Sequence, residues 1–386
     1  MNFDYNEEQQ LLAESVRRFL ARDYTFEARK QIVASESGMS DSIWATFTQI
    51  SLLAVTLPED AGGFGGGAVD LMATMESIGE ALVVEPFLPT VGLGAKLVQL
   101  AGSEAQKSEL LPKVAEGAMK LAFACTEEQS RYDLARVSVS ARREGSGYVI
   151  EGGKRIVLGG AVADRFIVSA RSAGDTADRE GVSLFLVAAD APGVTRTNYR
   201  TLDGTRACDV RFNNVRVAAE AMLGPEGAAL PAIEAAVDFA TALLCAEAVG
   251  AMKFANDTTL EYLKARKQFG VPIGAFQALQ HRMVDMFIAC EQSRSMAALA
   301  CTRVDTETDP VERALAVSAA KIKIADSCRL VSQESVQLHG GMGMTEELKV
   351  SHTFRRLTMI AQQFGDADHH LARYASLSAG QNSRGR

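Results

Sequence analysis

From Ala229 to Phe254 the chain reads ALPAIEAAVDFATALLCAEAVGAMKF, apolar on nearly every helical face. A helix that is hydrophobic all round cannot lie on a surface, so this stretch predicts the buried core of a bundle. It is not read as a membrane span, because no uncharged apolar run approaches the ~20 residues a bilayer requires. The N-terminus, MNFDYNEEQQ, has neither an apolar secretory core nor an Arg-rich transit composition. The expectation is a cytoplasmic protein with no membrane partner.

Around that helix the texture of the sequence changes twice. Residues 1–118 carry helical spacing, as in Leu11, Leu12, Val16, Phe19 and Leu20, then in Trp44, Phe47, Ile50 and Leu53. A break follows at Leu57-Pro58-Glu59, then a Gly-rich loop from Gly62 to Gly67. Val69 to Leu82 is helical again, closed by Pro86 and Pro89. Ser103 and Gln106 form a capping-box pair. From residue 119 short strand-like runs take over: Val137 to Ala141, Tyr148 to Ile150, Arg165 to Ala170, Val182 to Val187 and Asp209 to Phe212. Turn residues such as Gly145, Gly152, Gly159 and Asn213 separate them. From residue 226 the helical pattern returns, with Asp309-Pro310 as an N-cap and first-turn proline. The chain is therefore expected to be a multidomain α+β protein: an all-α domain (1–118), a middle antiparallel β-sandwich or barrel (119–225), and a C-terminal four-helix bundle (226–386).

Function classes fall away by composition and by missing motifs. Forty Lys and Arg against 48 Asp and Glu give a net charge of −8, which disfavours nucleic acid while leaving room for an anionic small ligand in a local basic pocket. The six Cys (125, 208, 245, 290, 301, 328) show no CxxC, and the five His form no ligand set, so no metal is expected. Gly63-Phe64-Gly65 begins a dinucleotide fingerprint, but Ala68 stands where its last glycine belongs and no strand-to-helix unit surrounds it.

What remains is a set of ordered phrases. Trp44 with Leu57-Pro58-Glu59-Asp60-Ala61-Gly62-Gly63, Gly102-Ser103 with Gln106-Lys107, and Leu111-Pro112 with Glu116-Gly117 come first. Then follow Ala124-Cys125-Thr126-Glu127, Ala265-Arg266-Lys267-Gln268-Phe269-Gly270 with Gln277, and Gln337-Leu338-His339-Gly340-Gly341-Met342-Gly343. Together, from about residue 5 to 375, they resemble the acyl-CoA dehydrogenase family of flavoproteins. The stretches Glu80 to Pro89 and Phe364 to His370 look like the branch that includes the small subunit of pimeloyl-CoA dehydrogenase.

The resemblance implies FAD, an acyl-CoA substrate, α,β-dehydrogenation of the thioester, and an oligomer, either a homotetramer or an α2β2 assembly with a paralogous chain. It implies that Arg266, Gln268, Phe269, Gln277, Gln337, Gly340 and Gly341 hold the diphosphate and adenine of FAD, and that Thr126 lies near the flavin ring. A guanidinium grips phosphate bidentately and a glycine turn brings N–H groups close. Taken alone, Arg266 also reads as a helix C-terminal charge, and Gly340-Gly341 as a C-cap. Other parts of the pattern are altered. Glu128 to Asp133 replaces the Gly-rich phrase after Thr126, and Tyr132 adds bulk there. Ile156-Val157-Leu158 stands at the family's Trp-Ile-Thr, where leucine packs but cannot donate a hydrogen bond. The two usual positions of the catalytic Glu carry Phe364 and Ala240. Glu247, two turns beyond Ala240 in an apolar run, is the substitute base; its other reading is a partner for an Arg on another helix. Asp366 and Asp368 read first as loop or helix N-terminal residues. The erosion predicts a chain that supplies the diphosphate half of a flavin site completed by a paralogue. Two alternatives are a non-catalytic structural subunit of such a complex and a flavin monooxygenase on the same fold.

Overall fold

The computed structural model describes residues 6–384. The chain runs through α1 (Glu7–Asp23), α2 (Phe26–Ala34), α3 (Asp41–Gln49), α4 (Ala68–Ala81), α5 (Lys96–Ala101) and α6 (Glu104–Ala115). Eight strands follow: β1 (Leu121–Ala124), β2 (Ser140–Glu144), β3 (Gly147–Leu158), β4 (Arg165–Arg171), β5 (Val182–Ala188), β6 (Val194–Arg200), β7 (Arg206–Ala218) and β8 (Met222–Leu223). Then come α7 (Leu230–Ala265), the short pair β9 (Lys267–Gln268) and β10 (Val271–Pro272), α8 (Gln277–Thr306), α9 (Pro310–His339), α10 (Lys349–Gln362) and α11 (Ala367–Arg384). Helix, sheet and helix follow one another as the periodicity predicts. Helix α11 continues to Arg384; Gly385 and Arg386 lie outside the described residues.

The chain forms two compact units. One gathers the described residues up to Lys30, Gly67–Val83 and those from Thr241 to Arg384; the other holds Gln31–Gly66 and Val84–Ala240. In the first, α9 packs against α8, α10 and α11, and α4 against α1 and α8. The most apolar window of α7 is long enough to cross a membrane, but 94% of it is buried in protein. Asp309 caps α9 through the Val311 N–H at 2.8 Å, with Pro310 at the first helical position.

In the second unit one eight-stranded sheet runs β6-β7-β3-β2-β4-β5-β8, with β1 beside β4. Most pairs are antiparallel, but β1 pairs β4 in parallel and β2 touches β4 through one parallel pair, Ser140 with Arg171. Tyr148, Phe166, Phe185 and Phe212 fill the core against this sheet. The Ser103–Gln106 capping box forms at α6. Helix α4 ends at Leu82, which adopts the left-handed conformation, well before the prolines expected to stop it; Pro89 instead opens a π-helical turn at Leu88–Ala95.

Candidate functional site

The residues expected at the diphosphate and adenine lie in the first unit. Past Ala265 the backbone turns sharply: Gln268 pairs with Val271 and Lys267 with Pro272. The two residues between, Phe269 and Gly270, both have positive φ, +54° and +81°. That is the demand of a type I′ turn, met freely by glycine and at a cost by phenylalanine. The Phe269 side chain is 92% exposed. Arg266 joins helix to hairpin, its N–H donating to Tyr262 O and its own carbonyl accepting from Ile273 N–H, each at 2.8 Å. Its guanidinium is exposed, and no carboxylate lies within ion-pair reach among the described residues. The Gln268 amide donates to Lys267 O at 2.8 Å, and exposed Gln277 is the first residue of α8.

At the end of α9, exposed Gln337 precedes the glycine turn, and its carbonyl accepts the Gly340 N–H. Gly340 has φ +61°, so it forms the C-cap that one reading expected. A Cβ at Gly340 or Gly341 would meet nothing within 4 Å, whereas one at Gly343 would strike Val336 O at 2.6 Å. The first two glycines therefore leave an open approach to backbone, which the last does not. Tyr262 stacks on His339 with ring centroids 4.4 Å apart and 29° between planes. That contact joins the ends of α7 and α9, so the Arg266 hairpin and the Gly340 turn stand at one end of the bundle. His339 is buried with Nδ1 2.7 Å from Ser335 O, and burial pushes its pKa down.

Glu247 is buried on α7, and the Arg356 Nε of α10 donates to its Oε1 at 2.6 Å. The second of its two readings, a partner for an Arg on another helix, is thus realised. Arg356 was missed from the sequence, although Val350, Thr353, Leu357 and Ile360 mark the buried face of α10 on which it falls. Phe364, between α10 and α11, holds φ +61°. Buried Lys321 donates to the carbonyls of Ala361 at 3.2 Å and Gly365 at 2.7 Å, and His370 Nε2 lies 3.1 Å from Phe364 O. Burial depresses the Lys321 pKa. Neither Lys321 nor His370 carried a recognisable motif.

Thr126, expected near the flavin ring, lies in the second unit. Thr126 is half-buried, and its carbonyl accepts the Arg155 N–H at 2.8 Å. Lys154 fixes the residues on both sides of it, donating to Cys125 O at 3.2 Å and Glu127 Oε1 at 2.7 Å, and also to Ser169 Oγ at 2.9 Å. Lys154 and the hydrogen bonds from Ser138 and Val139 hold the Glu127 carboxyl below its ordinary range, against the opposing effect of burial. Ile156, Val157 and Leu158 close β3, with Ile156 exposed and Val157 buried.

Among the described residues no cluster of His, Cys, Asp or Glu is suited to a metal ion. Comparison with known proteins gives the wider context. Sequence profiles of the acyl-CoA dehydrogenase N-terminal, middle and C-terminal domains match residues 6–118, 122–215 and 230–375. The chain is 32% identical over 371 residues to the acyl-CoA dehydrogenase FadE12 of Mycobacterium tuberculosis, covering 93% of each chain. In structure it resembles the ChsE4-ChsE5 complex from Mycobacterium tuberculosis (TM-score 0.88, 26% identity, 98% and 99% of the two chains). It also resembles the FAD complex of PigA (TM-score 0.90, 25% identity, 97% and 98%). With all three of the family's domains matched in order and the fold shared end to end, this chain belongs to the acyl-CoA dehydrogenase family.

Proposed function

We propose that this chain is a cytoplasmic subunit of an FAD-dependent acyl-CoA dehydrogenase that works as an α2β2 assembly with a paralogous chain. The observation that carries the reading is the bundle end where the unpaired Arg266 guanidinium and the open Gly340-Gly341 backbone are brought together by the Tyr262–His339 stack. A cationic fork beside glycine backbone that no side chain covers is what a diphosphate can approach, so the residues fit the cofactor. Gln268, Gln277 and Gln337 are exposed amides beside them that supply donors and acceptors for the nucleotide. Phe269, turned outward by its hairpin, offers an apolar face.

Bound FAD supplies the hydride acceptor for α,β-dehydrogenation of the CoA thioester. The chain's own residues anchor the nucleotide, and the Lys154 clamp fixes the segment that carries Thr126 on the ring side. Removal of the α-proton requires a base. Ala240 and Phe364 stand where the family resemblance places one, which leaves Glu247 as this chain's carboxylate for the task. The Arg356 bond favours a second reading, in which Glu247 braces two helices and the base comes from the partner, because its Oε1 is already engaged by a guanidinium on another helix. The exposed apolar residues Val284, Phe287 and Ile288 on α8 support an assembly that covers them.

The test is purification of the tagged chain from its native source, with flavin and partner counted per chain. A second chain and stoichiometric FAD are expected together, and Arg266→Ala should weaken FAD binding about tenfold or more through loss of charge-assisted bonds. Full FAD and turnover in the single chain would reject the mixed assembly. Glu247→Gln then decides the base. Lost exchange of the thioester α-hydrogen with FAD retained assigns proton removal to Glu247; exchange retained with a lower melting temperature assigns it to the partner.

A further inference from the structure

Helix α10 begins on a lysine. Lys349 is its first residue, and no acid stands in its first turn. The N-terminal end of a helix carries partial positive charge, so an ammonium there meets repulsion where a carboxylate would be stabilised. Three other helices close on the side chain. Its Nζ lies 4.0 Å from the centroid of the Phe254 ring on α7 and donates to Glu80 O on α4 at 2.6 Å. Arg29 of α2 donates to Leu82 O, two residues on, at 2.6 Å, so two cations share the end of α4. Arg29 repels the Lys349 charge, and the Glu80 carboxylate attracts it. That carboxylate is shared, because it acts on Lys253 of α7 as well. On the near side, Glu346 is engaged by Arg355 at 2.5 Å and faces His352 at 3.3 Å. Burial is the largest influence, and with Arg29 it lowers the Lys349 pKa from 10.5 to about 8.

An amine whose ammonium is disfavoured in this way is a nucleophile near neutral pH. When neutral, Lys349 keeps one N–H on Glu80 O and has its lone pair free for attack. The side chain is only half-buried, so a reagent from solvent reaches it. We propose that Lys349 is a site of covalent acylation by acyl-CoA thioesters. Its Nζ attacks the thioester carbonyl carbon; the C–N bond forms, the C–S bond breaks, CoA leaves as the thiolate, and the amine proton passes to that thiolate or to water. The product is an amide, and no oxidant or reductant is consumed. Acylation takes the charge away from the Phe254 ring and from Glu80. The reagent is of the class proposed above as substrate, but the step needs neither FAD nor a partner chain.

At pH 7.5 roughly a quarter of an amine with a pKa of about 8 is neutral, against about one in a thousand for an ordinary lysine. A less basic nucleophile is intrinsically slower, as thiols show, so a net advantage of about tenfold is expected. The full-length chain, purified with the chain that co-elutes, is incubated with acetyl-CoA, which has no β-carbon to dehydrogenate. Peptide mass spectrometry then follows each lysine. At pH 7.5 Lys349 should be acetylated about tenfold faster than exposed Lys264 and Lys267. Its rate should level off above pH ~8 while theirs keep climbing. In urea the advantage should disappear, because the fold creates it. Equal rates at pH 7.5, a Lys349 rate that still rises about tenfold per pH unit beyond pH 9, or an advantage that survives unfolding would overturn the proposal. A chain that co-elutes with nothing and holds no flavin would instead overturn the functional reading, while the lysine rates still decide this one.

Discussion

A carboxylate as deep as Glu247 is tolerable only with a partner, and Arg356 provides one at 2.6 Å. Removing one member of a buried pair leaves an uncompensated charge, which costs more than the pair itself contributes. Arg356→Leu is therefore expected to destabilise the protein by about 3–5 kcal/mol. The double variant Glu247→Leu/Arg356→Leu should recover most of that loss, and denaturant melts of the four proteins check it. The sequence made half of this interaction legible. An isolated Glu in the run from Ala242 to Gly250 demands a partner, but nothing in a linear pattern says which of many arginines folds back onto it. The same limit hid Asp209, an ordinary strand residue until a β-bulge in β3 sets Arg155 and Ile156 together against it.

Helix contacts show which elements a sequence reveals and which it conceals. Helix α7 was legible because an all-apolar run has few places to go. Strand β6 was not, because its residues are mostly exposed and polar, and only its pairing with β7 makes it a strand. Strand β1 was hidden for another reason: four buried residues are too few to show a period. The crossing of α4 and α7 was equally silent. A Cβ at Gly79 would stand 1.9 Å from Glu247 O, and one at Gly250 would stand 1.8 Å from Glu76 O. The two backbones thus meet through a pair of glycines, with rigid carbonyls on either side that cannot move aside as a flexible side chain would. Gly250→Ala is expected to force the helices apart and to cost about 1–3 kcal/mol, read as a lower midpoint in a guanidinium melt. Ala251→Gly, one residue along the same helix, serves as the control that loses helix propensity without adding bulk.

At the scale of the whole molecule, pH acts through histidines that the fold keeps neutral. Burial lowers the pKa of His339, His352 and His370, and for His370 it falls from 6.5 to about 2. Around His370 stand Lys321, His369 and Arg373, all of which oppose a further positive charge, while the Phe364 carbonyl favours it only weakly. In the unfolded chain these histidines take up protons near pH 6.5; in the folded chain they do so only at lower pH. Between those values the unfolded state binds more protons, so stability rises with pH across the interval and is lost as pH falls below about 6.5. Each such histidine contributes a slope of up to about 1.4 kcal/mol per pH unit. Melting temperatures measured from pH 7.5 down to 5 should therefore drop, and His370→Gln should flatten the acid limb because glutamine takes no proton in either state. An acid limb as steep in that variant as in the wild type would show that the ring is not held neutral, and that the Lys321 anchor of the Phe364-Gly365 turn tolerates a second charge beside it.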